Sequence, residues 1–446
     1  MFRSTRRQTS LVRLRRAHQV GAVGTVVVLA LGFGTVQVHR SHHVVLPLLS
    51  AVVAVRPDGG RQSVRSESKS MTFFTGTRVL ASSDPAAAAA AQEQREWLAA
   101  GSVPGGDGPY RDMVEKALLD LHTLLLPNGA LVAGWPKHWR YVWPRDAAFA
   151  AVALARTGHQ DDALRILEFL QNLQPENGVF QARYLPDASG VPDRRGEQTD
   201  GTGWVLWAAQ QLIHDQPETA RAGTRDRLRT MINRSTAAAL RLTAGPGALP
   251  GASEDYWEIH SDRLSLGTAA PLALGLRAAA ELQSQAGDLA TSQAAQQRAD
   301  RLEASIRSRF GINGYPRYLG GDAPDASVAF LLPPFTADAD PSVLTVWREA
   351  ARRMRRPAGG LAPGAGWKND GISWTPQTAL FAWTAAAIGD KVSAQARLDW
   401  LAAHRTRYGA LPEKVLSNGK PAGPAPLTWT DALTVLTVAT LEDGSG

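Results

Sequence analysis

Two kinds of helical segment alternate along residues 110–440, and this alternation constrains the fold more than any other feature of the sequence. Segments of the first kind are amphipathic, with apolar side chains at helical spacing on one face; they cover residues 110–125, 159–172, 218–243, 290–309, 342–356 and 390–404. Segments of the second kind are apolar on almost every face; they cover residues 146–155, 203–213, 264–280, 326–332, 376–387 and 431–440.

A helix that is apolar on all faces must be buried on all faces, whereas an amphipathic helix needs only one buried side. Six helices of each kind therefore predict an all-α fold, an (α/α)6 barrel in which an outer ring of six helices surrounds an inner ring of six. An irregular helical bundle or a solenoid is the alternative. The sequence has no repeat of fixed period, which a solenoid would require.

Cysteine is absent from the 446 residues, which excludes disulfides, thiolate metal sites and a cysteine nucleophile. The ten histidines show no spacing typical of a metal site, so we predict no metal. The net charge of +7 comes from residues 1–69, which hold eleven of the 48 Lys and Arg but two of the 41 Asp and Glu. The rest of the chain lacks the basic excess typical of nucleic-acid binding, so we predict no nucleic-acid partner.

The N-terminus has the features of a membrane anchor. Six arginines within residues 3–16 precede residues 20–36, which carry no charge and come close to the lower length limit of a membrane span. Arginines of this kind stay in the cytoplasm, which places the following chain outside. We interpret residues 1–40 as a basic segment plus an uncleaved signal-anchor, and the protein as a single-pass membrane protein with an extracytoplasmic domain. The alternative is a cleaved export signal of the twin-arginine type, which predicts a secreted protein.

Residues 41–109 are interpreted as a linker with one short helix. Residues 56–70 are polar, and the apolar stretch 44–55 is too short to span a membrane. Asp84 and Pro85 form an N-cap and a first helical position, which predicts a helix to about Ala100. The main domain is predicted over residues 110–443.

Polar and aromatic residues collect just before each apolar helix, in six separate stretches at residues 139–146, 196–204, 253–258, 313–325, 366–374 and 411–429. The N-termini of the inner helices all point to one end of such a barrel. We therefore expect the six stretches to form one pocket, rich in tryptophans and carboxylates: Trp139, Trp143, Trp257, Trp374, Trp429, Asp146, Asp200, Glu258 and Glu413.

Tryptophan faces beside carboxylates and an arginine suit a sugar, because its C–H face stacks on indole while its hydroxyls bond to the charged groups. Cleavage of a glycosidic bond also needs two carboxyl groups. Each stretch alone has a simpler interpretation. Arg145 and Asp146 could be a helix-terminal ion pair, the tryptophans could be core residues, and residues 200–203 could be a turn. The ordered coincidence of all six favours a site.

Four of these motifs, YVWPRD (141–146), QTDGTG (198–203), DYWE (255–258) and LPEKV (411–415) with PLTW (426–429), are similar in order to those of glycoside hydrolase family 15, the glucoamylase-like family. The resemblance covers residues 110–441. It implies an (α/α)6 barrel, no cofactor, and exo-attack on α-glucosidic bonds with inversion. It also implies that Arg145 and Asp146 bind the terminal glucose, that Glu258 is the general acid, and that Glu413 is the general base.

Three residues near the predicted site differ from the family pattern. Ile259 replaces a second glutamate after the acid, Lys414 replaces the usual glutamine after the base, and Lys368 is the nearest cation where an arginine is expected before Trp374. Lysine lacks the bidentate geometry of arginine. We expect apolar surroundings, beside Trp257, to keep Glu258 protonated until it donates its proton.

The predicted function is an extracytoplasmic exo-acting α-glucosidase, with α-linked glucosides or oligosaccharides as substrates. Three alternatives stay open. The protein could be a membrane-tethered glycan-binding pseudoenzyme, or it could have trehalase-type specificity. A lyase or a terpene cyclase on the same fold is also conceivable, but a cyclase would need an Asp-rich motif that the sequence lacks.

Overall fold

The computed structural model describes residues 46–65 and 71–444. The predicted anchor at residues 20–36 lies outside these ranges and stays a prediction. Within the described ranges, no helix combines the length and the apolar character that crossing a membrane would require.

Thirteen α-helices are found in the described part of the chain. After α1 (Pro85–Ala100), the outer helices are α2 (Arg111–Leu124), α4 (Gln160–Leu173), α6 (Glu218–Arg227), α7 (Arg229–Leu242), α9 (Leu289–Ser305), α10 (Pro341–Met354) and α12 (Lys391–Ala403). The inner helices are α3 (Pro144–Arg156), α5 (Asp200–Asp215), α8 (Leu266–Gln285), the 3-10 helix Ala326–Leu331, α11 (Thr375–Ala387) and α13 (Thr428–Asp443).

The inner elements form a closed ring. Helix α3 contacts α5, α5 contacts α8, α8 contacts the 3-10 helix, and the ring continues through α11 and α13 back to α3. Each inner element is covered on its outside by an amphipathic neighbour: α4 lies on α3, α7 on α5, α9 on α8, α10 on the 3-10 helix, α12 on α11 and α2 on α13. The predicted (α/α)6 barrel is therefore confirmed. The alternation of amphipathic and apolar helices is the sequence feature that predicted it.

The barrel interior is packed with aromatic side chains. Phe149 lies 4.9 Å, centroid to centroid, from both Trp204 and Trp207, and Phe335 lies 5.3 Å from Trp383. These rings give the inner helices the all-round apolar surface seen in the sequence. They also fill the interior of the barrel between the inner helices.

Helices α5 and α8 approach each other closely through two glycines. A Cβ atom on Gly203 would lie 2.1 Å from the carbonyl oxygen of Pro271, and one on Gly275 would lie 2.5 Å from the Cα of Gly203. The motif that begins at Asp200 is therefore not a mere turn: Asp200 opens helix α5, and Gly203 lets the two inner helices pack backbone to backbone.

The fourth inner element differs from its neighbours. The sequence predicts a helix over residues 326–332, but the structure has only a six-residue 3-10 helix there. Pro333 and Pro334 follow at once, and proline cannot continue a helix because it lacks the N–H donor. A cavity of about 1410 Å³ lies beside this short element, between α8, α9 and α10.

The interpretation of residues 41–109 as a linker is wrong for the part that the structure describes. Strands β1 (Val52–Val55) and β2 (Arg61–Val64) pair antiparallel, and β1 is almost wholly buried. The Arg61 guanidinium donates to the carbonyls of Thr123 (2.8 Å) and Leu125 (2.9 Å) at the end of α2. Residues 46–109 therefore belong to the same compact unit as the barrel. The predicted helix is present as α1.

Buried polar contacts fix this N-terminal part to the outer ring. The Arg78 guanidinium forms a bidentate ion pair with Asp120 on α2, at 2.5 and 2.6 Å, with both side chains buried. Trp97 on α1 stacks on His159, with ring centroids 3.9 Å apart, and donates its indole N–H to Asp162 at 2.7 Å.

Candidate active site

A cavity of about 360 Å³ lies at the N-terminal ends of inner helices α3, α11 and α13, beside the loop that precedes α8. Nine of the eleven predicted site residues line it: Trp139, Trp143, Arg145, Asp146, Trp257, Glu258, Trp374, Glu413 and Trp429. The barrel topology accounts for this convergence, because each residue lies at the start of an inner helix or just before one.

Glu258 is presented by a strained loop. Its φ of +56° lies in the left-handed region, which is unusual for a residue other than glycine. The loop is held by Asp255, whose carboxylate accepts from the Trp257 amide (3.0 Å) and from Arg317 (2.7 Å). The Arg317 guanidinium in turn stacks 3.7 Å from the Trp257 ring centroid. This network keeps Glu258 directed at the cavity.

The surroundings of Glu258 are ionic, and the expectation of an apolar environment is wrong. Its Oε2 accepts from Nη1 of Arg195 at 2.5 Å, and its Oε1 accepts from Nε2 of Gln198 at 2.8 Å. Nη2 of Arg145 lies 3.7 Å from Oε1. Trp257 does line the same cavity, but two guanidinium groups face the carboxylate.

Glu413 lies in the same cavity with two donors of its own. The indole N–H of Trp139 donates to its Oε1 at 3.2 Å, and Nζ of Lys414 lies 2.8 Å from its Oε2. Strands β3 (Ser373–Trp374) and β4 (Lys414–Val415) pair so that Trp374 faces Lys414 across the sheet. The ammonium group lies 4.3 Å from the Trp374 ring centroid. The base candidate is thus held as a charge-paired carboxylate.

Arg145 lies between two buried carboxylates. Its Nε donates to Asp146 at 3.3 Å, and its Nη1 lies 3.8 Å from Asp200, which sits behind the cavity wall rather than in it. Burial raises the pKa of Asp146 to about 6 and that of Asp200 to about 7, with Arg145 opposing both shifts. The charges of Glu258 and Glu413 also raise the pKa of Asp146, which places it near both.

The aromatic wall presents unused hydrogen-bond donors. The buried indole N–H groups of Trp257, Trp367, Trp374 and Trp429 have no partner within the described residues. All four tryptophans line the cavity, and buried donors are nearly always paired in folded proteins. Four unpaired N–H groups beside charged residues suit a ligand that carries many hydroxyl groups.

Similarity to known proteins agrees with this chemistry. No protein-family model matches the chain. An isomaltose glucohydrolase of Kribbella flavida is 27% identical over 303 residues, 62% of this chain and 74% of that protein. An uncharacterized glycosyl hydrolase of Methanocaldococcus jannaschii is 32% identical over 98 residues, 22% of this chain and 16% of that protein.

Solved structures resemble the barrel itself. A bacterial glucoamylase complexed with acarbose matches with a TM-score of 0.65 and 18% identity, over 82% of this chain and 62% of that one. A glycosidase in complex with glucose matches with a TM-score of 0.62 and 22% identity, over 74% and 96%. The fold is that of the glucoamylase-like glycoside hydrolases. The relatives and neighbours named here are glycoside hydrolases.

Within this glucoamylase-like fold, two predicted site residues lie outside the cavity. Asp200 supports Arg145 from behind, as described above. Lys368 places its Nζ 5.5 Å from the ring centroid of Trp367, a lining residue, without lining the cavity itself. Its predicted contact with substrate is therefore replaced by a contact with the aromatic wall.

Ten residues that line the cavity were not predicted, and six of them have polar or aromatic side chains: His138, Arg183, Arg195, Tyr256, Trp367 and Gln377. Trp367 lies within the stretch 366–374 that the sequence had already indicated, and Tyr256 lies within DYWE. Arg195 belongs to an Arg-Arg pair just before QTDGTG. Such pairs are common in loops, so the pair alone does not indicate a functional site. Local sequence could not place it against Glu258.

None of the predicted site residues lines the larger cavity beside the 3-10 helix. The predicted carboxylates and tryptophans converge on the smaller cavity instead.

Proposed function

We propose that the protein is an exo-acting hydrolase of α-glucosidic bonds that inverts the anomeric carbon. Glu258 acts as the general acid and Glu413 as the general base. The observation that carries the proposal is that separate loops bring these two carboxylates to one tryptophan-lined cavity of about 360 Å³. The 27% identity to an isomaltose glucohydrolase supports a glucoside as substrate.

The contacts support an exo mode of attack. The floor of the cavity is closed, because Trp429 packs on the interior Phe149 with ring centroids 5.8 Å apart. A terminal glucose that enters this closed end meets Arg145 and Asp146, whose charged groups can bind its hydroxyls, while its C–H face lies on indole. The rest of the substrate then points out of the cavity.

The reaction follows from the two carboxyl groups. Glu258 donates a proton to the glycosidic oxygen, and the bond from that oxygen to the anomeric carbon breaks. Glu413 accepts a proton from a water that attacks the same carbon from the opposite face. The contacts of Trp139 and Lys414 support this second role, since the indole N–H donates to Oε1 of Glu413 and the ammonium group pairs with its Oε2.

The test uses the full chain with maltose, isomaltose and trehalose, and NMR to identify the first-formed anomer of glucose. We expect β-glucose from at least one of them. Glu258→Gln and Glu413→Gln should each lower kcat about 10²–10⁴-fold, with unchanged circular dichroism. Release of the attacked glucosyl unit as the α-anomer (from trehalose, two α-glucose in place of one α and one β), or full activity in either variant, would contradict the proposal.

A second candidate function is glycan binding without turnover. The ion pair between Glu258 and Arg195 favours it, because Arg195 occupies an oxygen from which a general acid would donate its proton. Calorimetric binding of the same sugars with no glucose released would move this candidate to first place.

We also propose an extracytoplasmic location, with residues 20–36 as the anchor. The arginines before this uncharged segment support it. A periplasm-dependent reporter fused after residue 446 should be active, and an inactive but expressed fusion would contradict the location.

A further inference from the structure

Arg195 occupies the mouth of the cavity in an ordered network. The Asp193 carboxylate accepts from Nη2 of Arg183 and lies 3.6 Å from Nε of Arg195. The Arg183 guanidinium is fixed over two rings, 4.7 Å from Tyr141 and 5.1 Å from Trp143. One side of the Arg195 guanidinium therefore pairs with Asp193, and the other side donates to Glu258.

The contact between Arg195 and Glu258 competes with the proton that acid catalysis requires. Oε1 of Glu258 already accepts from Gln198, so Oε2 is the atom available to carry the proton toward a glycosidic oxygen. Oε2 accepts from Nη1 of Arg195 at 2.5 Å. A guanidinium only donates hydrogen bonds, so a protonated Oε2, which has lost its charge, can offer Arg195 no more than a weaker, uncharged acceptor. The proton that Glu258 transfers to a glycosidic oxygen therefore competes with Arg195 for Oε2.

The charge balance indicates what Arg195 moves to. Two cations, Arg183 and Arg195, face two anions within 4 Å, Asp193 and Glu258. Arg145, which has Asp146 and Asp200 as its own partners, also lies 3.7 Å from Glu258. When Glu258 is protonated, one guanidinium loses its counter-charge at the side of the leaving group. Glu254 is the next carboxylate; it is partly buried and attracts Arg195, but it forms no ion pair within 4 Å with either arginine among the described residues.

We propose that Arg195 binds the leaving group, and that the favoured substrates are α-glucosides of 2-hydroxy carboxylic acids. The inference rests on the proposed function. Nη1 lies 2.5 Å from the oxygen that must face the glycosidic oxygen, so Arg195 can reach an anion only if it is attached close to that oxygen. A carboxylate on the carbon that bears the leaving oxygen fits this limit and can pair with the guanidinium bidentately.

In this reaction the carboxylate of the leaving group is unchanged. The bond between the anomeric carbon and the leaving oxygen breaks, and that oxygen takes the proton of Glu258. The oxygen of water forms the new bond to carbon, and Glu413 takes its proton. Arg195 is a binding and positioning residue: by moving from Glu258 to the substrate, it frees Oε2 in the same step in which the substrate is recognised.

The test compares two glucosides that differ only in charge, 2-O-α-D-glucosyl-lactate and 2-O-α-D-glucosyl-lactamide. We expect kcat/KM of the full-length protein to be at least about tenfold higher for the lactate, as for a hydrogen bond to a charged group. Arg195→Met should bring the ratio to about one by raising KM for the lactate. Arg195→Lys should keep part of the preference, because the charge remains but the bidentate geometry is lost.

The matched control is Arg352→Gln, which removes an exposed guanidinium on outer helix α10. It should leave the ratio unchanged. Equal kcat/KM for the two glucosides, or a preference that survives Arg195→Met, overturns the inference while the proposed function stands. Failure of the folded protein to release glucose from the lactate, the lactamide, maltose, isomaltose and trehalose overturns the proposed function instead, together with the inference built on it.

Discussion

Replacing Asp200 with asparagine is expected to make the protein more stable at pH 8 and less active. Asp200 is 1% exposed, and its Oδ1 has no hydrogen-bond partner among the described residues. Its Oδ2 accepts from the indole N–H of Trp204 at 3.3 Å, and Nη1 of Arg145 lies 3.8 Å away. Burial outweighs this attraction and raises the pKa of Asp200 from 3.8 to about 7.

The sign and size of the effect follow from proton linkage. Between about pH 4 and 7, folded Asp200 holds a proton that the unfolded chain has released, so the free energy of unfolding falls as pH rises. The shift spans about three pH units at about 1.4 kcal/mol each, which gives at most about 4 kcal/mol lost by pH 8. Asparagine has nearly the same shape without a charge, so the variant lacks this loss.

The assay is the thermal midpoint from pH 5 to pH 8.5. The midpoint of Asp200→Asn minus that of the parent should rise with pH and reach several degrees at pH 8. Asp161→Asn, on the exposed face of α4, should give a flat difference. A difference for Asp200→Asn that stays constant or falls with pH would refute the reasoning. Activity should drop about tenfold, since the carboxylate that orients Arg145 loses its charge.

Two further substitutions test other contacts. Lys414→Gln should lower kcat about tenfold, because the ammonium group 2.8 Å from Oε2 of Glu413 holds the base in position; an unchanged kcat would show that the lysine serves only to cover Trp374. Arg78→Met should lower the free energy of unfolding in urea by about 3–5 kcal/mol, since it strands the buried carboxylate of Asp120. Adding Asp120→Leu should restore part of that loss, and equal losses in both variants would argue against a stranded charge.

The sequence predicted the barrel because the burial of a whole helix shows in its composition. Residues 146–155 and 376–387 are apolar on every face, and only the inside of a ring buries a helix that completely. The same topology then predicted which loops meet, since inner helices share one direction. This reasoning predicts nine of the residues that line the cavity.

The sequence could not predict features whose stability comes from distant residues. Strand β2 (Arg61–Val64) is polar, a composition typical of a linker. The strand is stabilised by its pairing with β1 and by the hydrogen bonds from Arg61 to the end of α2. Arg195 was missed for the same reason. Its place is fixed by Asp193 and Glu258, and the second of these lies 63 residues away in the chain.

The unpaired polar atoms of the cavity give the site its selectivity. The indole N–H groups of Trp257, Trp367, Trp374 and Trp429 have no partner in the described structure, and each unpaired buried group costs about 1–3 kcal/mol. An apolar ring of the size of glucose could fill the same volume but would leave these donors unpaired, whereas the oxygens of a sugar can accept from them. The instability expected from Asp200 and the preference expected for a sugar thus have the same origin, polar groups that the fold buries without hydrogen-bond partners. A substitution that removes the instability should therefore also weaken the preference.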